Sequence, residues 1–548
     1  MAGLCAAIAS ARHGANTLLM QDRPVLGGNA SSEIRMHIGG AHGKDLRESG
    51  IIEELQLANF YYNTSLSYSV WDTVLYGAAK KEPNLTLLLN TACYNANVDH
   101  HLITDVTGYQ SNAETFHGVT AAVFIDCSGD SVLAPLCRAD YMYGREAKSD
   151  FNEDVSLTKS DRKTMGMSCL LQIRETDHKT VFIPPEWAYK YPTDESMFHK
   201  PHSDPLHDNW WWIEVGGEND CVHDTDACRD ELLKIAYGVW DHMKNHGDHG
   251  VDNWELEFIG MLPGKRESRR YIGDYILTKT DVTENRQHAD TVAYAGWPMD
   301  DHYPEGFYHP VEGTRYYHTP SPWCIPYRCL YSKNVENLLF AGRNISVTHA
   351  ALSSSRVMAT CGILGQAAGT AAALAVEQHK LPRELDVGIL QETLLEDDCF
   401  LPNISRKPSS LNATVSCPAP MLLKAQDRGE NNLTELSLNK PFTMTLAKPT
   451  LVKRLRMIVN SDLNRTYLNM PCNYPLKQTA YRMPDCLLRN FCIEYTDTEG
   501  ITYRDTYTDN RQRLIYCPIG KQITSLSIIP LTTWGAKTCT LYSLDLQA

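Results

Sequence analysis

Positive charge is in short supply in this chain of 548 residues, where 51 Lys and Arg face 66 Asp and Glu for a net charge of -15. Holding phosphate backbones or an anionic membrane requires a basic surface, so nucleic acid and membrane surfaces are excluded as partners. Paired C-x-x-C spacing is also missing from the 17 cysteines, which are odd in number. They read as buried thiols, and no metal site is expected. Nor does any uninterrupted apolar run approach the length that crosses a bilayer. No membrane span is expected, and the visible chain reads as soluble, with the cytoplasm favoured and secretion left open.

Also missing is the front half of a motif. Ala2, Leu4, Ala6, Ala7, Ile8 and Ala11 recur at helical spacing up to Gly14. Thr17 to Met20 then forms a short apolar run suited to a buried strand, closed by Gln21, Asp22, Arg23, Pro24, Gly27 and Gly28. Helix, strand, polar end and glycine loop follow in the order of a dinucleotide-binding unit. In such a unit a strand and two further glycines stand ahead of this helix, bringing backbone amides and the helix N-terminus to a pyrophosphate. Met1 then reads as an internal methionine of the motif and Gly3 as its last glycine.

With 43% hydrophobic residues the chain can bury more than one core, so two or three domains are expected. Two further segments match the opening one. "VTAAVFIDCSGD" is an apolar strand ending at Asp126, followed by small residues that let a ligand approach the backbone. "VENLLFAGRNISVTHAALSSSRVMATCGILGQAAGTAAALAVEQ" supplies a strand over 338–341, Gly342, the fixed cation Arg343 and a buried helix over 358–377. The N-terminus of that helix, near Thr360, would present free amides and partial positive charge.

In this order the segments, with "QDRPVLGGNASSE" and "PGKRESRRYIGDYILT", resemble the FAD-dependent oxidoreductases of the glutathione-reductase-like flavoproteins over roughly the first 400 residues. The resemblance implies an α/β fold: a Rossmann-like FAD-binding domain lacking its first strand, an inserted α+β cap and a C-terminal β-sandwich. The expected divisions are 1–145 and 319–405 for the FAD domain, 146–318 for the cap and 406–548 for the sandwich. It implies FAD as cofactor, with Gly3, Gln21, Arg23, Gly27, Gly28, Asn29 and Ser31 on the adenosine and pyrophosphate side and Cys93 at the adenine. Gly129 and Asp130 would close the dinucleotide site, and Gly342, Arg343, Gly365, Ala368 and Gly369 would serve the pyrophosphate and flavin end.

Oxidising an alcohol needs a base for the hydroxyl proton, and histidine suits this near neutrality. His349 and His37 are the expected bases, with His42 a further candidate. Glu33 and Arg35 would share a face with His37 if that segment is extended. Arg266, in the run Lys265 to Arg270, is the expected substrate anchor, although such a run is as often solvated. The cap carries Trp210, Trp211, Trp212, Trp254 and Trp297 with Asp300, His302 and Tyr303, a mixture suited to a sugar. The three consecutive tryptophans cannot all face one way. Past Pro408, short strands broken by turns read as the sandwich, in which Trp534 or Tyr467 could meet carbohydrate and six cysteines could pair.

The expected function is hydride transfer between FAD and a hydroxylated small molecule, with a sugar or glycoside as candidate substrate and the electron acceptor unassigned. The alternatives are a non-catalytic carbohydrate-binding or scaffold protein on the same fold, and a lyase or isomerase that uses the flavin without net oxidation.

Overall fold

The small, apolar opening segment forms α1 (Ala2–Arg12), which stops ahead of Gly14 at a φ of +88°. β1 (Thr17–Met20) follows and pairs in parallel with β2 (Leu85–Leu88), Thr17 opposite Leu85. The computed structural model describes residues 1–202, 204–206, 209–477 and 481–548. They divide into one unit of 1–42, 65–387 and 468–480 and a second of 43–64, 388–467 and 481–548.

In the first unit β3 (Phe124–Asp126) ends at the "CSGD" turn. Asp126 Oδ1 fixes that turn by accepting from Ser128 N at 2.8 Å and Ser128 Oγ at 2.6 Å. α2 (Thr225–Asn245) buries Leu232, Ile235, Ala236, Val239, Trp240 and Met243, a stripe at helical spacing, in a core with Trp210, Trp212, Trp254 and Phe307. β4 (Leu338–Phe340) pairs in parallel with β3, Leu338 opposite Phe124. Where one open parallel sheet is expected, the described residues thus form two separate parallel pairs, with no strand joining β1 to β3.

Two helices follow β4. Thr348 Oγ1 caps α3 (His349–Ser355) by accepting from Ala351 N at 3.3 Å. α4 (Met358–Gln378) corrects one expectation, because it is long and apolar enough to cross a membrane. Yet 94% of its most apolar window is buried inside the fold, as befits a core helix. Its glycines explain how it packs so deeply. A Cβ on Gly365 would fall 2.1 Å from Ala2 O, and one on Gly369 would fall 2.1 Å from Ala6 O, so two spacings of four interlock along α1 and α4.

The second unit is built on an antiparallel sheet: β5 (Thr434–Ser437), β6 (Phe442–Val459), β7 (Leu488–Asp497), β8 (Thr502–Tyr507), β9 (Leu514–Thr533) and β10 (Thr538–Gln547). The order is β5-β10-β6-β9-β7-β8, with Val415–Ser416 added beside β6. β6 joins two runs that read as separate strands. Its register breaks between Thr445 and Thr450, where Pro449 sits without an amide to donate. Met444 on one side of the break and Met457 on the other enter the same core, so the sheet curls around it. The helix Ile51–Tyr62 belongs here too, with Glu53 Oε2 accepting from Arg465 Nη2 at 2.5 Å. All 17 cysteines are free thiols. Trp534 and Tyr467 pack against the core, with Trp534 between Tyr61 and Arg489.

Candidate active site

A cavity of about 1220 Å³ runs through the first unit. Its walls are α1, the open edges of β1 and β3, the "CSGD" turn and Gly342–Arg343 after β4. Backbone lines it where side chains would intrude: Gly27, Gly28, Gly129 and Gly342 have φ of +103°, +61°, +76° and +113°. A Cβ on Gly129 would lie 2.9 Å from Arg343 Cζ.

The run from Lys265 to Arg270 is not solvated; it is wired to this turn. Arg343 Nη2 donates to Asp130 Oδ1 at 2.6 Å, and Arg343 Nη1 donates to Gly129 O at 2.7 Å. Lys265 Nζ donates to Asp130 Oδ2 at 2.7 Å and Ser268 Oγ to Asp130 Oδ1 at 2.9 Å. Burial pushes the Asp130 carboxyl up, but Arg343 and Lys265 outweigh it and hold the group well below the usual carboxylate range. Arg270 is buried and donates to Glu146 Oε1 at 2.8 Å.

The two expected bases fare differently. His349 is buried outside the cavity lining. Its Nδ1 lies 2.9 Å from Glu267 Oε2 and its Nε2 lies 3.0 Å from Asp301 Oδ1. Burial alone would lower its pKa, yet the two carboxylates push it up to about 10. Both ring nitrogens of His349 are thus engaged by carboxylates, an arrangement that favours its charged form and leaves neither nitrogen turned to the cavity. His37 lines the cavity and is partly buried. Desolvation lowers its pKa to about 4, which keeps the ring neutral at pH 7. Its Nδ1 lies 3.4 Å from Asn209 Nδ2. The segment is not the extended strand that would align Glu33, Arg35 and His37: Arg35 has a φ of 64°, Glu33 accepts from Arg23 at 3.3 Å, and Arg35 stacks on Phe258. His42 packs edge-on against Trp297 and does not line the cavity.

A contact chain leads from His37 to the polar end of the cavity. Trp211 N donates to Asn209 Oδ1 at 3.3 Å, and Arg266 Nη2 donates to Trp211 O at 2.9 Å. Next come Glu214, 3.4 Å from Arg266 Nη1, and His302, whose Nδ1 is 2.6 Å from Glu214 Oε2. His302 Nε2 lies 3.3 Å from Asp300 Oδ2, to which Arg356 Nη2 donates at 3.1 Å. Burial opposes ionisation of Asp300, but His302 and Arg356 hold it well below the usual carboxylate range. Arg266 Nη1, Arg356 Nε and Trp297 Nε1 are buried donors with no hydrogen-bond partner among the described residues. All three side chains line the cavity.

The cavity therefore brings together Gly3, Gln21, Arg23, Gly27, Gly28, Asn29, Cys93, Gly129, Asp130, Gly342 and Arg343, with His37 and Arg266. It does not include Ser31, which is fully buried. Gly365 and Gly369 are also outside it, for the physical reason that their face of α4 is filled by α1, and Ala368 is fully buried outside it as well. The α4 N-terminus does reach the cavity through Met358 and Cys361, although Ala359 N is already donated to Gly39 O at 2.9 Å. Of the consecutive tryptophans, Trp211 lines the cavity while Trp210 and Trp212 enter the core. Arg356 and Tyr316 escaped the sequence reading. Arg356 stands two residues ahead of α4, a flank that could have drawn attention to it.

The sequence model of the family described as FAD dependent oxidoreductase matches residues 1–394. The chain belongs to this family. Its cofactor is FAD, and the cavity fits that group: four left-handed glycines clear the backbone, and the volume exceeds the roughly 300–1,000 Å³ of ordinary small-molecule sites. No curated protein matches the chain. Among solved structures, similarity is found to the family 32 carbohydrate-binding module of Streptococcus pneumoniae EndoD, at 13% identity over 25% of this chain and 98% of that one, with a TM-score of 0.20. The family 32 module of C. perfringens NanJ in complex with galactose is 9% identical over 25% of this chain and 97% of that one, with a TM-score of 0.17.

Proposed function

We propose that this flavoprotein oxidises a hydroxyl-bearing small molecule, a sugar or glycoside, on a Rossmann-like cofactor domain, with the second unit as a β-sandwich accessory. The observation that carries the reading is the mixed lining of one end of the cavity, where Arg266, Arg356, Asp300 and His302 stand beside Trp211 and Trp297. Charged and polar side chains of this kind hydrogen-bond the hydroxyls of a polyhydroxylated substrate and fix its orientation. Trp211 and Trp297 add flat apolar faces for the C–H side of a sugar ring.

Bound FAD would supply the two-electron acceptor for the hydride. Gly3, Gln21, Arg23, Gly27 to Asn29, Cys93, Gly129, Asp130, Gly342 and Arg343 would hold it. His37, neutral at pH 7, takes the hydroxyl proton on Nδ1, where the 3.4 Å contact with Asn209 is long enough to be displaced. Asp300 and His302 keep Arg356 in place while the substrate is oriented.

The test is anaerobic mixing of FAD-loaded protein with neutral sugars, glycosides and sugar acids, read as loss of the yellow absorption. Bleaching by one class, reversed on admitting an oxidant, supports the proposal. A yellow protein that a chemical reductant bleaches but no hydroxylated compound does would overturn it.

A further inference from the structure

We propose that Asp194, His202, His242 and His249 bind one divalent transition-metal ion, zinc by the nature of the ligands, and so staple two distant segments of the cap. One ligand atom from each residue lies within 4.8 Å of the others. Around a tetrahedral zinc with bonds of about 2.0–2.2 Å, ligand atoms stand roughly 3.4 Å apart, so small side-chain movements close the set.

Proton placement argues for a cation. His202 Nδ1 lies 2.6 Å from Lys200 O, and His242 Nδ1 lies 2.6 Å from Tyr191 O. A carbonyl can only accept, so each Nδ1 carries a hydrogen, and Nε2 is the atom that each ring turns inward. The two Nε2 atoms face Asp194 Oδ1, at 3.6 Å from His202 and 3.1 Å from His242, so three ligand atoms already converge on one point. His249 Nε2 is buried without a hydrogen-bond partner among the described residues. A metal ion turns all of these contacts into bonds, and imidazoles anchored through Nδ1–H to carbonyls are the usual outer support of such ligands.

Asp194 opens the short helix Asp194–Met197, His202 follows it, His242 sits in the last turn of α2 and His249 lies just beyond. Four protein ligands form a closed, structural kind of site. None of the four lines the cavity. The spacings Asp194-x7-His202 and His242-x6-His249 belong to no familiar zinc pattern, which is why the sequence reading expects no metal.

Untagged full-length protein, stripped with a chelator and titrated with zinc, is expected to retain about one zinc per chain through gel filtration and to melt at a higher temperature with zinc than without. His249→Ala and, at the more exposed carboxylate, Asp194→Asn should each reduce retained zinc to background, with circular dichroism reporting that the variants fold. His246→Ala, which removes the neighbouring ring bonded to Asp241 instead, should retain it. Parent protein that retains no zinc, variants that still retain it, or loss in His246→Ala would each overturn the assignment. Flavin content, read in parallel, keeps this outcome separate from that of the redox proposal.

Discussion

At the scale of the residue, His37 and His349 show how surroundings divide one side chain into two roles. Among the described residues no carboxylate pairs with His37, and desolvation lowers its pKa to about 4. The acid limb of kcat/KM is therefore expected near pH 4 rather than near 6.5, with activity present above it. His37→Gln should lower kcat by about 10²–10⁴-fold while leaving flavin content unchanged, measured by steady-state assay and absorbance. His349 has a folded pKa raised to about 10, so its stabilisation is complete below about pH 6.5 and is lost as pH rises through about 10. The melting-temperature gap between parent and His349→Gln should thus narrow from pH 7 to pH 10; a constant gap would refute the clamped imidazolium. The sequence showed both histidines inside matched blocks. It could not show that Glu267 and Asp301 meet one of them, since those contacts span 82 and 48 positions.

At the scale of the element, local pattern reported well what local forces decide. α1, β1, β4 and α4 lie within a few residues of their expected limits because periodicity and flanking glycines set them. β6 was harder, since its halves are joined across a bulge that looks like a turn in sequence. The glycines of α4 show a different ambiguity. A spacing of four small residues suits both close approach to a ligand and close approach to another helix, and only the fold reveals that α1 is the neighbour. Gly365→Ala or Gly369→Ala should force the helices apart and cost about 1–3 kcal/mol each, seen as a lower melting temperature. A Gly77→Ala change, with nothing within 4 Å of the added Cβ, is the matched control and should be near neutral or stabilising.

At the scale of the whole molecule, the split between the β1–β2 and β3–β4 pairs bears directly on cofactor retention. The open edges of β1 and β3 both face the cavity, and Leu18 is left 39% exposed with Leu19, Met20, Val123 and Ile125 only partly buried. A parallel strand between them would satisfy both edges and bury these side chains, each worth about 1.5–3 kcal/mol when fully covered. A short Val/Ile-rich peptide added in trans to occupy this position should therefore raise the melting temperature by several degrees and let the protein keep more FAD through gel filtration. Equal or lower flavin content with the peptide bound would mean that the gap is not a strand position, and the Rossmann-like reading of the first unit would fall with it.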